Sequence, residues 1–358
     1  MNFASDTVVG ASAPVLEAVV RANAGALAPY GADEITARVE ARFAEVFERD
    51  CAVFLVATGT AANALSLAAA VPPWGLAVCH REAHVIDDEC GAPEFFTHGA
   101  KLVGLPGVGA KLSAQAVAEY VAGLPRSTKQ MPPKALSISQ ATECGLVYRL
   151  DEIAALGQVC REHGLAFHLD GARFANALVS LSCTPAEMTW KRGVDIVSFG
   201  ATKNGCLMAE AIVVFDARLA ESLSYRRKRA GQLLAKGRLG AAQFEGYFAD
   251  DHWYANARHA NRMARMLADG LLRIAGVRLG WPAEANEVFA ILPKAMDEAL
   301  RAAGAVYHPW TEASLPDVNR VGPDAVLVRL VASFATEEAE IRRFLEIAGA
   351  AAHRQAAE

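Results

Sequence analysis

From about residue 50 onward, short apolar runs rich in β-branched residues alternate with stretches whose apolar positions recur at helical spacing. Seven runs read as strands: Cys51–Val56, Leu76–Cys79, Lys101–Leu105, Ala135–Ser139, Ala166–Asp170, Asp195–Phe199 and Ala211–Phe215. Between them, segments such as 113–123 and 151–163 read as helices, with Ser113 and Asp151 as N-caps. That alternation predicts an α/β domain built on a largely parallel sheet. After about residue 250 the texture changes: a long helix over 254–274, strands near 288–292 and 326–331 and a closing helix predict a smaller α+β unit. Before Ala28 the chain reads as a detached arm with a helix, broken off by Ala28-Pro29-Tyr30-Gly31. The predicted organisation is an arm over 1–28, a large α/β domain over 29–250 and a small α+β domain over 251–358.

At 358 residues and 53% hydrophobic, the chain can bury the core that two such domains need. The net charge of −5 and the absence of a long basic tract give no electrostatic surface for nucleic acid. The one basic cluster, Arg226-Arg227-Lys228-Arg229, sits in a helical stretch and reads as a solvated or intersubunit face. Seven widely spaced cysteines without a C-x-x-C pair indicate neither a disulfide framework nor a metal site, and they read as small core residues. With no leader-like start and no apolar stretch of membrane-spanning length, the sequence predicts a soluble protein of the cytoplasm.

In an open α/β sheet, ligands bind at the carboxyl ends of the strands, so polar residues there carry the most information. Asp170 closes one strand, and Gly171-Ala172-Arg173 follows as a turn that a ligand can approach. Taken alone, such an aspartate is more often a helix cap. At the end of the next strand, Ser198-Phe-Gly-Ala-Thr-Lys203-Asn-Gly presents a lysine in a loop of small residues. A lysine amine made neutral by its surroundings condenses with an aldehyde, and a carboxylate on the neighbouring strand keeps a pyridine nitrogen protonated. Together they predict pyridoxal 5′-phosphate (PLP), held by Lys203 as a Schiff base and by Asp170 at the ring nitrogen. Thr58-Gly59-Thr60, between a strand and a helix, supplies N–H groups, hydroxyls and a helix dipole for its phosphate, and Arg238 is a candidate for additional charge. His84 follows the strand 76–79 and falls on the same sheet edge, placed to stack on the ring and move protons.

Ser5-Asp6-Thr7, Tyr30-Gly31, Thr58-Gly59-Thr60, His84, His168-Leu-Asp170-Gly-Ala-Arg173 and Lys203 fall in the order seen in the low-specificity L-threonine aldolases. The chain resembles that family from Ser5 to Arg329, most specifically in His-Leu-Asp-Gly-Ala-Arg with the lysine 33 residues after the aspartate. The resemblance implies a fold-type I PLP-dependent transferase-like fold, and a homotetramer, a dimer of dimers, with active sites shared between subunits. It implies that Lys203 and Asp170 hold the cofactor, that His84 stacks over its ring, and that Thr58, Gly59, Thr60 and Arg238 hold its phosphate. Ser5, Arg173 and Arg329 then receive the substrate carboxylate, and Tyr30 lines the site. The implied reaction is retro-aldol cleavage of a β-hydroxy-α-amino acid to glycine and an aldehyde. Where many members carry a histidine in a Glu-Asn-Thr-His-Asn segment, this chain has Ser139-Gln-Ala-Thr142-Glu143, so the β-hydroxyl proton has to pass to His84 or water. A PLP-dependent β-eliminating lyase or aminotransferase shares the same lysine and aspartate. A nicotinamide-dependent dehydrogenase is disfavoured because the first strand–helix turn lacks G-x-G-x-x-G, and an inert binding relative has no use for the converging amine and carboxylate.

Overall fold

The computed structural model describes residues 1–125 and 127–357. Seven strands form one sheet in the order β1-β7-β6-β5-β4-β2-β3: β1 Ala52–Val56, β2 Leu76–His80, β3 Lys101–Leu105, β4 Pro133–Ser139, β5 Ala166–Gly171, β6 Ile196–Gly200 and β7 Glu210–Val214. Every run predicted as a strand is one. Six strands run parallel and β7 runs against them. Helices cover both faces, which is why the strands read as unbroken apolar runs. Along β6, Val197 and Phe199 enter a large cluster with Phe43, Phe174 and Phe244, whereas Ile196 meets Ala62 and Leu65 of the helix Gly59–Ala70.

Four further strands make an antiparallel sheet, β10-β11-β9-β8: β8 Arg278–Leu279, β9 Glu287–Pro293, β10 His308–Pro309 and β11 Ala325–Val331. The helices His252–Leu271, Lys294–Ala302 and Glu338–Ala357 pack on it around Leu267, Val288, Leu300 and Phe344.

Two local readings are corrected. The helix Leu150–His163 is capped by Arg149, with the Glu152 carboxylate accepting from the Arg149 N–H at 2.6 Å, so Asp151 lies inside the first turn. Ser113 caps its helix as expected, accepting from the Ala116 N–H at 3.1 Å. Nor is the N-terminal arm detached. Phe3 is fully buried against Phe344, and its backbone bonds Val306 and Val331 of the small sheet region. The helix Ala13–Ala22 then lies on the helix Arg238–Phe248, so close that a β-carbon at Gly246 would stand 2.5 Å from the Pro14 carbonyl oxygen. Burial of Phe3 and Val15 is the force that ties the arm down.

Candidate active site

The register of the sheet sets the site. Ser139, Asp170 and Ser198 are in line across β4, β5 and β6, and two residues further along β6 Val56, Glu210 and Gly200 are in line across β1, β7 and β6. The loops above these rows enclose a cavity of about 420 Å³, walled on the far side by β11 and the N-terminal arm. Ser5, the Thr58–Thr60 turn, His84, Asp170, Arg173, Lys203 and Arg329 all line it.

Asp170 is buried, its Oδ1 accepting from the Ala172 N–H at 3.0 Å and its Oδ2 from Asn63 Nδ2 at 2.8 Å. Asn63 stands one turn into the helix Gly59–Ala70 and donates equally to Glu89 Oε1 at 2.8 Å. Glu89 Oε1 in turn meets His84 Nδ1 at 2.8 Å. A chain of four side chains thus connects the predicted ring-nitrogen ligand to the predicted stacking histidine. The hydrogen bond to Glu89 raises the His84 pKa against burial, with Asp170 adding to it. His168 is also buried but is clamped between Ser137 Oγ and Ser198 Oγ, and burial pushes its pKa down to about 4, so it is a neutral core histidine.

Lys203 follows β6 by three residues, and its Nζ makes no hydrogen bond or ion pair among the described residues. Nearby Glu210 is buried at the start of β7; burial pushes its carboxyl up to about 7, tempered by Thr202 and Lys203. At the other end of the cavity Arg173 is fully engaged: Nε meets Asp6 Oδ2 at 2.9 Å, and Nη2 meets Asp6 Oδ1 and Glu287 Oε1, both at 3.3 Å. Burial works against its charge, and the two carboxylates more than restore it, so its pKa is raised. Asn286 also donates to Asp6, at 3.0 Å. Arg329 is the less satisfied guanidinium. It stacks 4.5 Å from the Trp310 ring centroid and reaches the Ala4 carbonyl at 3.3 Å, while its Nε is buried without a partner. Ser5 Oγ lies 2.8 Å from Thr7 Oγ1 beside this pair.

The residues present fit PLP. A buried acid stands ready for the ring nitrogen and an unpaired amine for the aldehyde. Thr58 caps the helix Gly59–Ala70 through Oγ1, which accepts from the Ala61 N–H at 3.1 Å. The N–H groups of Gly59 and Thr60 have no partner among the described residues, and a β-carbon at Gly59 would meet nothing within 4 Å. A helix N-terminus with free donors and open space in front of it suits a phosphate.

Two predicted residues are elsewhere. Tyr30 is about half exposed, under Lys228 at 4.8 Å, and Arg238 begins its helix with Nη2 3.3 Å from the Gly25 carbonyl oxygen; neither lines the cavity. Conversely, sequence reasoning assigned no role to Asn63, Glu89, Glu143, Glu210 or Glu287. Asn63, a polar residue in an otherwise alanine-rich helix, was the legible signal among them. Cys79, Cys144, Cys160 and Cys206 are buried as expected of core residues, whereas Cys90 is exposed; burial pushes the Cys79 thiol up to about 12 and the half-buried Cys51 thiol up to about 11, away from the reactive thiolate.

The β-eliminating lyase family model matches residues 2–295. A low-specificity L-threonine aldolase of Pseudomonas aeruginosa is 46% identical over 86% of this chain and 89% of its own, and one of another Pseudomonas strain is 42% identical over 95% of each. The threonine aldolase structure of Leishmania major superposes with a TM-score of 0.90 at 31% identity, covering 98% of this chain and 99% of that one. The serine palmitoyltransferase of Sphingomonas wittichii, at 15% identity and a TM-score of 0.70, shares the fold. With this fold, this cavity and these relatives, the chain belongs to the PLP-dependent β-eliminating lyase family, together with the low-specificity L-threonine aldolases.

Proposed function

We propose that the chain is a PLP-dependent aldolase that cleaves L-threonine, L-allo-threonine and related β-hydroxy-α-amino acids, phenylserine included, to glycine and an aldehyde. The observation that carries this reading is an unpaired Lys203 in one cavity with the buried Asp170 and an under-satisfied Arg329. Lys203 and Asp170 would hold the cofactor, with the Thr58–Thr60 turn at its phosphate and His84 over its ring. When bound, PLP supplies an electron sink for the bond that breaks at the substrate's α-carbon.

The chain's own residues select that bond. Arg329, with Ser5 and Arg173 beside it, receives the α-carboxylate through charge-assisted hydrogen bonds and so fixes the rotation about N–Cα. Held that way, the substrate would present Cα–Cβ as the bond to be cleaved. Asp6 and Glu287 keep Arg173 in place and leave Arg329 as the freer partner. The β-hydroxyl proton leaves on the side of the cavity that His84 lines.

Tyr30 and Arg238 complete the reading only in an assembly. In a homotetramer built as a dimer of dimers, a neighbouring copy contributes them to this cavity, Arg238 at the phosphate and Tyr30 at the substrate. Acting on small amino acids, the enzyme belongs in the cytoplasm, and no helix among the described residues is long and apolar enough to cross a membrane. Product analysis separates the alternatives. Glycine and aldehyde support the aldolase; pyruvate and ammonia would assign a β-eliminating lyase, and amino transfer to a keto acid an aminotransferase.

A further inference from the structure

The loop after β4 carries Thr142 where many threonine aldolases carry a histidine, and Thr142 is committed to the loop itself. Its Oγ1 donates to the Gly109 carbonyl at 2.9 Å and accepts from the Cys144 and Leu146 N–H groups, each at 3.3 Å. The next residue, Glu143, lines the cavity beside His84 and Asp170. Its Oε1 accepts from Ser139 Oγ at 2.6 Å and from the His84 backbone N–H at 2.9 Å, which pins the carboxyl group from two elements. Its Oε2 is buried and has no partner among the described residues. A buried carboxylate oxygen without a donor is costly as an anion, so Oε2 is a natural place for a proton. Burial pushes the group up to about 7, against the pull of the Ser139 and His84 hydrogen bonds and with Asp170 as a nearby like charge. The other charged groups facing it are His84 and Arg173. A carboxyl group that titrates near neutrality can both take and return a proton.

We propose that Glu143 is the acid–base residue for the substrate's β-oxygen. The proposal rests on the aldolase reading above. As Cα–Cβ breaks, the hydroxyl O–H bond breaks, its proton passes to Oε2, and the C–O bond becomes the aldehyde C=O. The Cα–Cβ electron pair moves to Cα, for which bound PLP would supply the electron sink. Cα then takes a proton from water to give glycine, and Oε2 releases its own to solvent, so protons balance over the cycle. His84 is left to hold the ring.

Glu143→Gln keeps an oxygen for both anchoring hydrogen bonds and removes the ionisable group. Three quantities decide the matter: kcat for L-threonine cleavage, deuterium exchange at glycine Cα, which needs the cofactor but no β-hydroxyl, and the carboxyl infrared band of cofactor-free protein across neutral pH. The variant is expected to lose about 100- to 10,000-fold in cleavage, the range for a lost general base, while glycine exchange stays within about threefold of wild type. A carboxyl band titrating near pH 7 in the wild type is expected to vanish from the variant. Unchanged cleavage, an equal loss of cleavage and exchange, or no missing band would each overturn the proposal. Wild-type protein that exchanges glycine but releases aldehyde from no β-hydroxy-α-amino acid would instead sink the aldolase reading, and the role of Glu143 with it.

Discussion

Glu89 holds His84 by its Nδ1, and Asn63 ties the same carboxyl oxygen to Asp170, so one hydrogen-bond chain links the histidine to the acid proposed to hold the cofactor. Because Glu89 raises the His84 pKa, His84 keeps its proton to higher pH than a free imidazole. The stability that charged His84 gains from this hydrogen bond is present in full below the unfolded histidine pKa and is lost as pH rises through the raised folded value. Glu89→Gln is expected to lower the His84 midpoint, read from its ring proton signals by NMR titration, and to flatten stability against pH in that window; an unmoved midpoint would mean that Glu89 does not set the state of His84. Residue identity alone points to Lys203, Asp170 and His84, because each closes or follows a legible strand. It did not point to Glu89 or Glu143, whose meaning lies in partners 26 and 59 residues away.

At the scale of elements, the seven strands were readable because both faces of the sheet are buried and each strand is a compact apolar run bounded by turn residues. The antiparallel direction of β7 was not, since hydrophobic content carries no sign of direction. The docking of the arm is illegible for a similar reason: the apolar character of Phe3 and Val15 does not name the surfaces that bury them. The helix Glu34–Val46 shows what a side-chain cap contributes. Asp33 is buried and accepts from both the Thr36 N–H and the Thr36 hydroxyl at 2.9 Å. Asp33→Ala should destabilise the fold by about 1–2 kcal/mol in urea unfolding, as loss of a buried N-cap does, and a change of a few tenths would show that the cap is dispensable.

For the whole molecule, one chain assembles most of the cavity and leaves Tyr30 and Arg238 outside it. If a second copy contributes them, two inactive variants can rescue each other. Lys203→Ala and Arg238→Ala proteins, unfolded and refolded together in equal amounts, should recover about a quarter of wild-type activity, because half the interfaces are mixed and each mixed pair carries one intact site. No recovery, with mixed oligomers shown to form, would place Arg238 outside the shared site. The account as a whole stands on the aldolase chemistry. The most direct test loads the protein with PLP and measures glycine and aldehyde from L-threonine, L-allo-threonine and L-phenylserine, with Lys203→Ala alongside. Equimolar glycine and aldehyde that vanish in the variant are the predicted result; no glycine from any of the three, despite a cofactor reducible by borohydride, would contradict it.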